Sequence, residues 1–305
     1  MSKRLPILWM LPLCMVLAAC DRAVLNPSGD IAERQRDLLL TSTWLMLLIV
    51  VPVMALAGIF AWRYRQTNTQ ARYEPNWQHS MRLELVIWSA PLLLIICLGA
   101  LTWIGSHHLD PYRPLDRIAP GQPVPEAARE VEVNVVALDW KWLFIYPQYG
   151  VATVNELAIP VNRPISLRLT GSSVMNSFYA PALAGQIYTM PGMETRLHAV
   201  LNKVGVSEGF SANYSGAGFS GMRLTLRGLT QADFDQWVAT AKSAKEPLTR
   251  DTYLALEKPS ENEPIRHYGS VDSQLYAAIL GMCLRPGNKC THEMMAGHAG
   301  HHPLP

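Results

Sequence analysis

The stretch from Ser211 to Met222, SANYSGAGFSGM, has the spacing of a loop that holds a soft metal ion. Such loops gather two thiolates, an imidazole and a thioether on one glycine-rich turn, which suits the preference of copper for sulfur and imidazole. Here Ser211 and Ser215 stand four residues apart, and Phe219 precedes Met222. Serine hydroxyls do not ionise near neutral pH and a phenyl ring has no lone pair, so only Met222 could still touch a metal. The loop therefore predicts copper-site geometry without copper chemistry.

The carboxyl-terminal tail, HEMMAGHAGHHPLP, carries a second set of soft side chains. Its imidazole and thioether groups could hold copper or zinc weakly. The residues that carry these groups are His292, Met294, Met295, His298, His301 and His302. The tail has no hydrophobic period, and we expect it to be disordered. Weak metal capture and simple solvation both remain open.

The elements that position these residues begin with a secretion signal at the amino terminus. Lys3 and Arg4 precede an apolar run, and small residues lead to Cys20. The ending LAAC resembles a bacterial lipobox, which predicts cleavage before Cys20 and a lipid on its sulfur; an uncleaved signal with a chance cysteine is the alternative. Cys283 and Cys290 could pair in an oxidising compartment, but the sequence leaves this open.

Two long uncharged runs follow the signal, Leu38 to Trp62 and Leu85 to Ser106. Each can cross about 30 Å of hydrocarbon as a helix, and a soluble buried hairpin is the alternative. The connecting loop carries four arginines against one acid before Glu84, so the positive-inside rule places it in the cytoplasm. Residue 20 and everything after residue 107 then lie outside, in agreement with the signal peptide.

Beyond a proline-rich linker, short stretches with two-residue alternation predict a Greek-key β-sandwich or barrel. The strands are expected at 131–138, 151–159, 165–169, 195–201 and 222–226. Thr230 can cap a helix that runs through Val238 and Lys242, and Val271 to Met282 predicts a second helix. The net charge of +2 and the lack of a basic groove argue against a nucleic-acid partner.

A signal, a membrane hairpin, an external sandwich and a copper-shaped loop together resemble subunit II of the haem-copper oxidases. In the cytochrome c oxidases of that family, two copper ions are held by two His, two Cys, a Glu carbonyl and a Met. The resemblance places these ligands at six positions, namely Asn176, Ser211, Asn213, Ser215, Phe219 and Met222. Five of the six residue types differ, so Met222 is expected to be a core side chain instead.

The segments NSFYAPALAGQIYTMPGMETRLH and YSGAGFSGM look like the quinol-oxidase branch, the cytochrome bo-type enzymes. That resemblance implies a fold of two transmembrane helices, a cupredoxin-like sandwich and a small aromatic-rich helical extension. It also implies a chain without a redox centre. The haems and a copper ion are expected in a partner, catalytic subunit I, which is joined by further small membrane subunits and embedded in membrane lipid. The complex oxidises ubiquinol, reduces oxygen to water and moves protons outward.

The resemblance also divides the chain into segments. They are a signal peptide (1–19), a lipidated periplasmic segment (20–37), a transmembrane hairpin (38–106) with a cytoplasmic loop (63–82), a linker (107–130), a cupredoxin-like domain (131–229), a helical extension (230–282) and a His/Met-rich tail (283–305). The chain is accordingly expected in a bacterial inner membrane, with its large domain in the periplasm.

Three more residues match family positions. Trp140 and Trp142 in DWKWLFIY resemble the aromatic entry for electrons from cytochrome c, but without copper they are expected to pack at alternate positions of a strand. Glu84 in ELVIWSAP resembles a glutamate at the mouth of a proton path into subunit I. An interfacial acid that merely faces water is the alternative. Two other functions stay open: a cytochrome c oxidase subunit with copper, and a lipid-anchored copper-binding module working alone.

Overall fold

A computed structural model describes residues 23–72, 74–125, 129–285 and residue 290. Residues 34–110 form one compact unit, and residues 23–33 join residues 111 onward in a second. Helix α1 (Asp30–Arg63), whose first four residues belong to the second unit, and helix α2 (Met81–His108) are long and apolar enough to cross a membrane, and their most apolar windows are 0% buried by protein. Within the first unit Leu38 packs against Gly105.

Both helices extend beyond the uncharged runs that predicted them, because each begins and ends in polar residues. Pro52 and Pro91 lie inside the helices, as expected for segments in lipid. An apolar face that no protein covers is costly in water, so the predicted transmembrane hairpin replaces the soluble alternative.

The second unit is a β-sandwich with a helical extension. Its strands are β1 Arg117–Ala119, β2 Gln122–Pro123, β3 Val131–Leu138, β4 Lys141–Tyr146, β5 Val151–Val154, β6 Glu156–Pro160, β7 Ile165–Gly171, β8 Asn176–Tyr179, β9 Ile187–Thr189, β10 Thr195–Ala199, β11 Gly205–Ser211, β12 Arg223–Leu229, β13 Pro247–Leu248, β14 Arg266–Tyr268 and β15 Ser270–Val271. One sheet has the order β10-β7-β3-β4-β5-β14 and the other β6-β12-β11-β8-β9. β1 pairs with β2 inside the predicted linker, and β13 pairs with β15.

Strands β3 and β4 are buried on both faces, so they separate two cores. One face of β4 carries Trp142 and Phe144, whose rings meet Phe178 of the five-stranded sheet edge-on. The opposite face carries Leu143 and Ile145, which pack with residues of the extension. Because side chains alternate along a strand, one sheet supports the sandwich on one side and the extension on the other.

The expected strand 151–159 is in fact two strands that belong to different sheets. The chain turns between them at Asn155, whose φ of 58° lies in the left-handed region that asparagine tolerates. The Asn155 side chain accepts a hydrogen bond from the Trp142 backbone N–H (2.8 Å) and donates one to the Glu263 carbonyl (2.8 Å). A β-branched pattern alone cannot reveal this corner.

The segment before α1 is part of the β-domain. The backbone N–H groups of Ser28 and Gly29 both donate to the Ala182 carbonyl at 2.9 Å, and Gly29 pairs with Leu201. Asp30, fully buried, accepts hydrogen bonds from Arg117 through both carboxylate oxygens. Residues within the predicted segment 20–37 therefore complete the folded domain.

The extension contains helices α3 (Gln231–Lys242), α4 (Arg250–Leu256) and α5 (Leu275–Leu280). The predicted cap is confirmed, since Thr230 accepts a hydrogen bond from the Asp233 N–H at 3.2 Å. The helix expected at Val271 to Met282 is shorter, because its first residue lies in β15, and α4 was missed. Cys283 and Cys290 form a disulfide. Most of the tail lies outside the described residues.

Candidate functional site

The loop singled out in the sequence joins the neighbouring strands β11 and β12. Ser211 ends β11 and Met222 directly precedes β12, and the Ser211 N–H donates to the Met222 carbonyl (3.1 Å) at the base of the loop. Asn176, the first residue of β8, lies beside them, because the Ser211 hydroxyl donates to its Oδ1 at 3.1 Å. A short 3-10 helix at Phe219–Gly221 completes the turn. The structure thus gathers residues from two separate segments at one end of the sandwich.

Neutral hydrogen-bonding groups hold this cluster together. Asn213 donates to the Met175 carbonyl (3.1 Å), and Asn176 donates to the Val174 carbonyl (3.2 Å). The Asn213 bond connects the β11–β12 loop to the β7–β8 loop, and the Asn176 bond is local to the start of β8. Hydroxyl and amide groups thereby supply the cross-links between the loops.

The donor set does not fit copper. Asn176, Ser211 and Met222 are buried, and the first two present an amide and a hydroxyl that already hydrogen-bond to each other. Phe219 packs its ring against Tyr214, with centroids 5.6 Å apart. Copper prefers thiolate and imidazole, neither of which these positions provide. Across the described ranges, no group of three or more His, Cys, Asp or Glu side chains could hold a metal ion.

Trp140 covers the loop from the side of the six-stranded sheet. Its indole N–H donates to the Ser215 carbonyl at 3.0 Å, and its ring lies against Gly216 and Gly218. A Cβ added at Gly218 would stand 2.5 Å from Trp140 Cδ2, so only glycine fits beneath the indole.

The expectation that Trp140 and Trp142 occupy alternate strand positions is wrong for Trp140. It lies in the two-residue turn between β3 and β4, with a φ of 67° that strand backbone does not adopt. Trp142 does lie in β4, fully buried, with its ring 5.3 Å from Phe178. Both rings pack inside this chain, one on the loop and one between the sheets.

A buried carboxylate that the sequence analysis missed lies where the extension meets the sandwich. Glu156 of β6 has a side chain only 4% exposed. Its Oε1 accepts from Arg227 Nε (2.5 Å), and its Oε2 accepts from Trp237 Nε1 (3.1 Å) and lies 2.7 Å from His267 Nε2. Burial acts to raise the pKa of Glu156, but the hydrogen bonds from Trp237, His267 and Arg227 together lower it. These partners are 71 to 111 residues distant in the chain, so spacing could not indicate them.

Lys141 was missed for a similar reason. It stands between the two tryptophans and is 1% exposed, with Nζ donating to the Lys258 carbonyl (2.8 Å) and to Ser260 Oγ (2.6 Å). Burial lowers the pKa of this amine. Its partners come from the segment between α4 and β14, so it forms a second link between sandwich and extension.

Glu84 lies in the first turn of α2, where Ser80 is the N-cap. Its Oε1 accepts a hydrogen bond from the Ser80 N–H (3.2 Å) and lies 3.3 Å from His79 Nδ1. The Glu84 side chain is 44% exposed. Cys20 and the tail residues His298, His301 and His302 lie outside the described part of the chain.

Two apolar helices, a β-sandwich and a loop with Ser, Asn and Phe in place of thiolate and imidazole donors define a class: subunit II of the respiratory oxidases. The comparisons with known proteins identify the branch. Residues 242–287 match the family model of the COX Aromatic Rich Motif. The chain is 47% identical over 266 residues to cytochrome bo(3) ubiquinol oxidase subunit 2 of Pseudomonas aeruginosa, covering 87% of this chain and 78% of the relative. The chain belongs to the family of the cytochrome bo-type ubiquinol oxidase subunit 2.

Other relatives agree. Ubiquinol oxidase subunit 2 of Acetobacter aceti is 45% identical, with 87% of this chain and 84% of the relative covered. Quinol oxidase subunit 2 of Bacillus anthracis is 36% identical, with 82% and 84% covered. Among solved structures, the periplasmic domain of subunit II of the Bradyrhizobium japonicum cytochrome oxidase matches with a TM-score of 0.37 and 26% identity, over 39% of this chain and 96% of that one.

Family membership confirms several predictions made from the sequence. The chain is a subunit of a quinol oxidase, which is an oxidoreductase complex of the respiratory chain. The predicted fold class, a pair of membrane helices followed by a cupredoxin-like β-domain, is also confirmed. The chain is an inner-membrane protein with a large carboxyl-terminal domain.

Proposed function

We propose that this chain is the copper-free, non-redox subunit II of a proton-pumping ubiquinol oxidase. The observation that carries the proposal is the Ser211–Asn176 hydrogen bond, with Met222 buried beside it. At the positions where a dinuclear copper site needs thiolate and imidazole, this chain has neutral groups that satisfy one another. An electron carrier is not needed here, because a quinol can deliver its electrons within the membrane.

The haems and copper that reduce oxygen then belong to catalytic subunit I, and the β-domain packs against that subunit. The end of the sandwich that carries the loop presents exposed apolar side chains, Val174 (46% exposed), Met175 (42%) and Tyr214 (75%). Apolar side chains grouped on a surface are typical of a protein contact. The chain's role is to support assembly and to shield the oxygen-reducing site from water, within a complex that also contains small membrane subunits.

The proposed topology places a lipid-modified Cys20 and the β-domain in the periplasm, with the arginine-rich loop in the cytoplasm. Glu84 then lies at the cytoplasmic end of α2. A carboxylate there can take up protons and pass them towards the catalytic subunit. Glu84→Ala should slow quinol-driven oxygen uptake while the haem content of the purified complex stays the same. Unchanged turnover would remove this role from Glu84.

The experiment that tests the copper-free assignment uses the intact oxidase, purified from membranes in mild detergent by a tag on this chain. We expect haem to co-purify, oxygen uptake to depend on quinol, and the copper content to equal that of the catalytic subunit alone. A thiolate-to-copper absorption band, with two additional copper ions per complex, would instead show a cytochrome c oxidase subunit. A chain that purifies without haem-containing partners would point to the free-standing module.

A further inference from the structure

An apolar patch lies on the β-domain beside the segment that leads into α1. It consists of four exposed aliphatic side chains, Val24, Leu25, Val204 and Val206, whose exposed fractions run from 39% for Val24 to 67% for Val206. Two of them precede α1, and the other two lie where the chain passes from β10 into β11. Single exposed aliphatic residues are normal on a protein surface, but a group drawn from two separate segments indicates a contact surface.

Hydrogen bonds hold the two segments of the patch side by side. The Asn202 N–H donates to the Ser28 carbonyl at 2.7 Å, and Lys203 Nζ donates to the Pro27 carbonyl at 2.9 Å. The segments run in opposite directions, so the patch residues of both lie just beyond these contacts. The patch is therefore one surface of the folded domain.

The polarity of this surface changes within one repeat of β11. Val206 and Glu208 are two residues apart on the strand, so their side chains share a face and lie about 7 Å apart. Glu208 forms an ion pair with Arg223 at 2.9 Å, and both side chains are exposed. The patch segments themselves, residues 23–29 and 200–207, carry a single charge, that of Lys203. An apolar tip with a cation at its margin and ion pairs behind it matches the boundary between acyl chains, lipid phosphates and water.

The start of α1 favours lipid over protein as the partner of this patch. Helix α1 begins at Asp30, directly after the first patch segment, and Leu38 opens its uncharged run. Eight residues of helix rise by about 12 Å. The headgroup layer of a bilayer accounts for about 5–8 Å of this distance. The chain thus enters the lipid within a few residues of the patch. Cys20, the proposed lipid carrier, precedes Val24 by four residues, which span at most about 15 Å.

We propose that the patch docks on the phospholipid surface that α1 enters, with its aliphatic side chains among the glycerol and upper acyl groups and Lys203 beside the lipid phosphates. The β-domain then has a membrane contact of its own, in addition to the two helices. This contact depends neither on the copper content of the chain nor on Glu84, so its failure would leave the proposed function untouched.

Photolabelling of the intact oxidase tests the contact. The complex is placed in bilayer discs of phosphatidylcholine and phosphatidylglycerol that include a phosphatidylcholine with a diazirine near the top of one acyl chain, and mass spectrometry of peptides locates the lipid adducts. We expect about fivefold more adducts at Val204 and Val206 than at Ile265, because docked side chains reach the boundary between headgroups and acyl chains. Ile265 is the matched reference, since it is an aliphatic side chain of the same domain with an exposure of 43%. Glu208 should carry no more adducts than Ile265.

A double variant, Val204→Ser with Val206→Ser, separates the patch from the pull of α1. Both positions are exposed, so the thermal unfolding midpoint should stay that of the wild type. Adducts at Leu25 should nevertheless fall by about fivefold, because half of the docking surface is lost. Glu208→Gln, two residues further along β11, is the control and should leave the adducts at Leu25 unchanged.

Three results would overturn the inference. Adducts at Val204 and Val206 no more frequent than at Ile265, together with ready oxidation of the patch by hydroxyl radicals, would show a surface in water. Protection of the patch from these radicals without lipid adducts would show that another subunit covers it. Unchanged adducts at Leu25 in the double variant would show that α1 alone brings this segment to the lipid.

Discussion

Substitution of Glu156 by glutamine should weaken the attachment of the helical extension to the sandwich. Glu156 binds one donor from the sandwich, Arg227, and two groups from the extension, Trp237 and His267. The amide keeps the volume of the carboxylate but loses its charge, and its NH2 group faces donors on at least one side. The NH2 group therefore opposes either Arg227 or both Trp237 and His267, and every contact that remains loses the assistance of the negative charge.

The magnitude follows from the exposure of each partner. Arg227 is 40% exposed and can return to water, so its ion pair contributes no more than about 1 kcal/mol. Hydrogen bonds to a buried charge contribute about 1.5–3 kcal/mol each, and Trp237 and His267 both bind the 4% exposed carboxylate. The contribution of His267 is reduced because its side chain is 25% exposed. We therefore expect the substitution to lower the free energy of opening the extension by about 3 kcal/mol, which raises the opening equilibrium constant roughly a hundredfold.

Hydrogen exchange of the intact complex measures this opening directly. Amides of α3 and β14 should exchange roughly a hundredfold faster in Glu156→Gln, whereas Arg227→Gln, the matched control, should change them by no more than about fivefold. The exchange rates of the β3 amides should equal those of the wild type in both variants. Wild-type exchange rates in Glu156→Gln would show that apolar packing alone holds the extension, and would refute the role given to the carboxylate.

The pH dependence has a defined sign. The folded pKa of Glu156 lies below its ordinary value of 4.5, so its contribution is present above that value and is lost as the pH falls through the lowered one. The difference between the wild type and Glu156→Gln should therefore disappear in acid. A difference that persisted there would assign the effect to packing.

Three further predictions concern separate contacts. Gly218→Ala should destabilise the loop by about 1–3 kcal/mol, because its Cβ would stand 2.5 Å from Trp140; faster proteolysis within the loop is the readout, and an unchanged cleavage rate would contradict it. Arg117→Met should loosen the segment around Asp30 by about 1.5–3 kcal/mol, because the buried carboxylate loses the charged hydrogen bonds from Arg117. Faster hydrogen exchange of the segment would show this, and Arg117→Lys should retain part of the contact. Tyr253→Phe should leave the thermal unfolding midpoint unchanged or raise it, since this buried hydroxyl has no hydrogen-bond partner among the described residues, and a marked fall would indicate an ordered water there.

The sequence predicted the membrane helices and the loop because both signals are local. A run without charge needs only its own residues to indicate a membrane span, and Ser211 and Met222 lie close in the chain as well as in space. The position of Asn176 came from the family resemblance, and the structure brings it to within 3.1 Å of Ser211. Residue types at fixed spacing were sufficient for this part of the site.

The remainder depended on contacts that spacing does not encode. Glu156 could not be distinguished from an ordinary strand acid, because its partners lie in β12, α3 and β14. The two-residue alternation at 131–138 predicted strand β3, but it did not indicate that the extension covers the second face of the sheet. The spacing of Trp140 and Trp142 predicted that both lie on one strand, but Trp140 lies in the two-residue turn before β4. Each error arose where a tertiary partner decided the local structure.

Hydrogen bonds hold the loop between β11 and β12 in place. In a copper loop the ions cross-link the strands, so the loop is free to move when they are lost. Here the Ser211 hydroxyl, the Asn176 amide and the Trp140 indole supply the cross-links, and none of them requires a cofactor. The end of the sandwich that carries the exposed apolar residues is therefore ordered by folding alone. A surface proposed to pack against a partner subunit gains from that order, because less conformational entropy is lost when the subunits assemble.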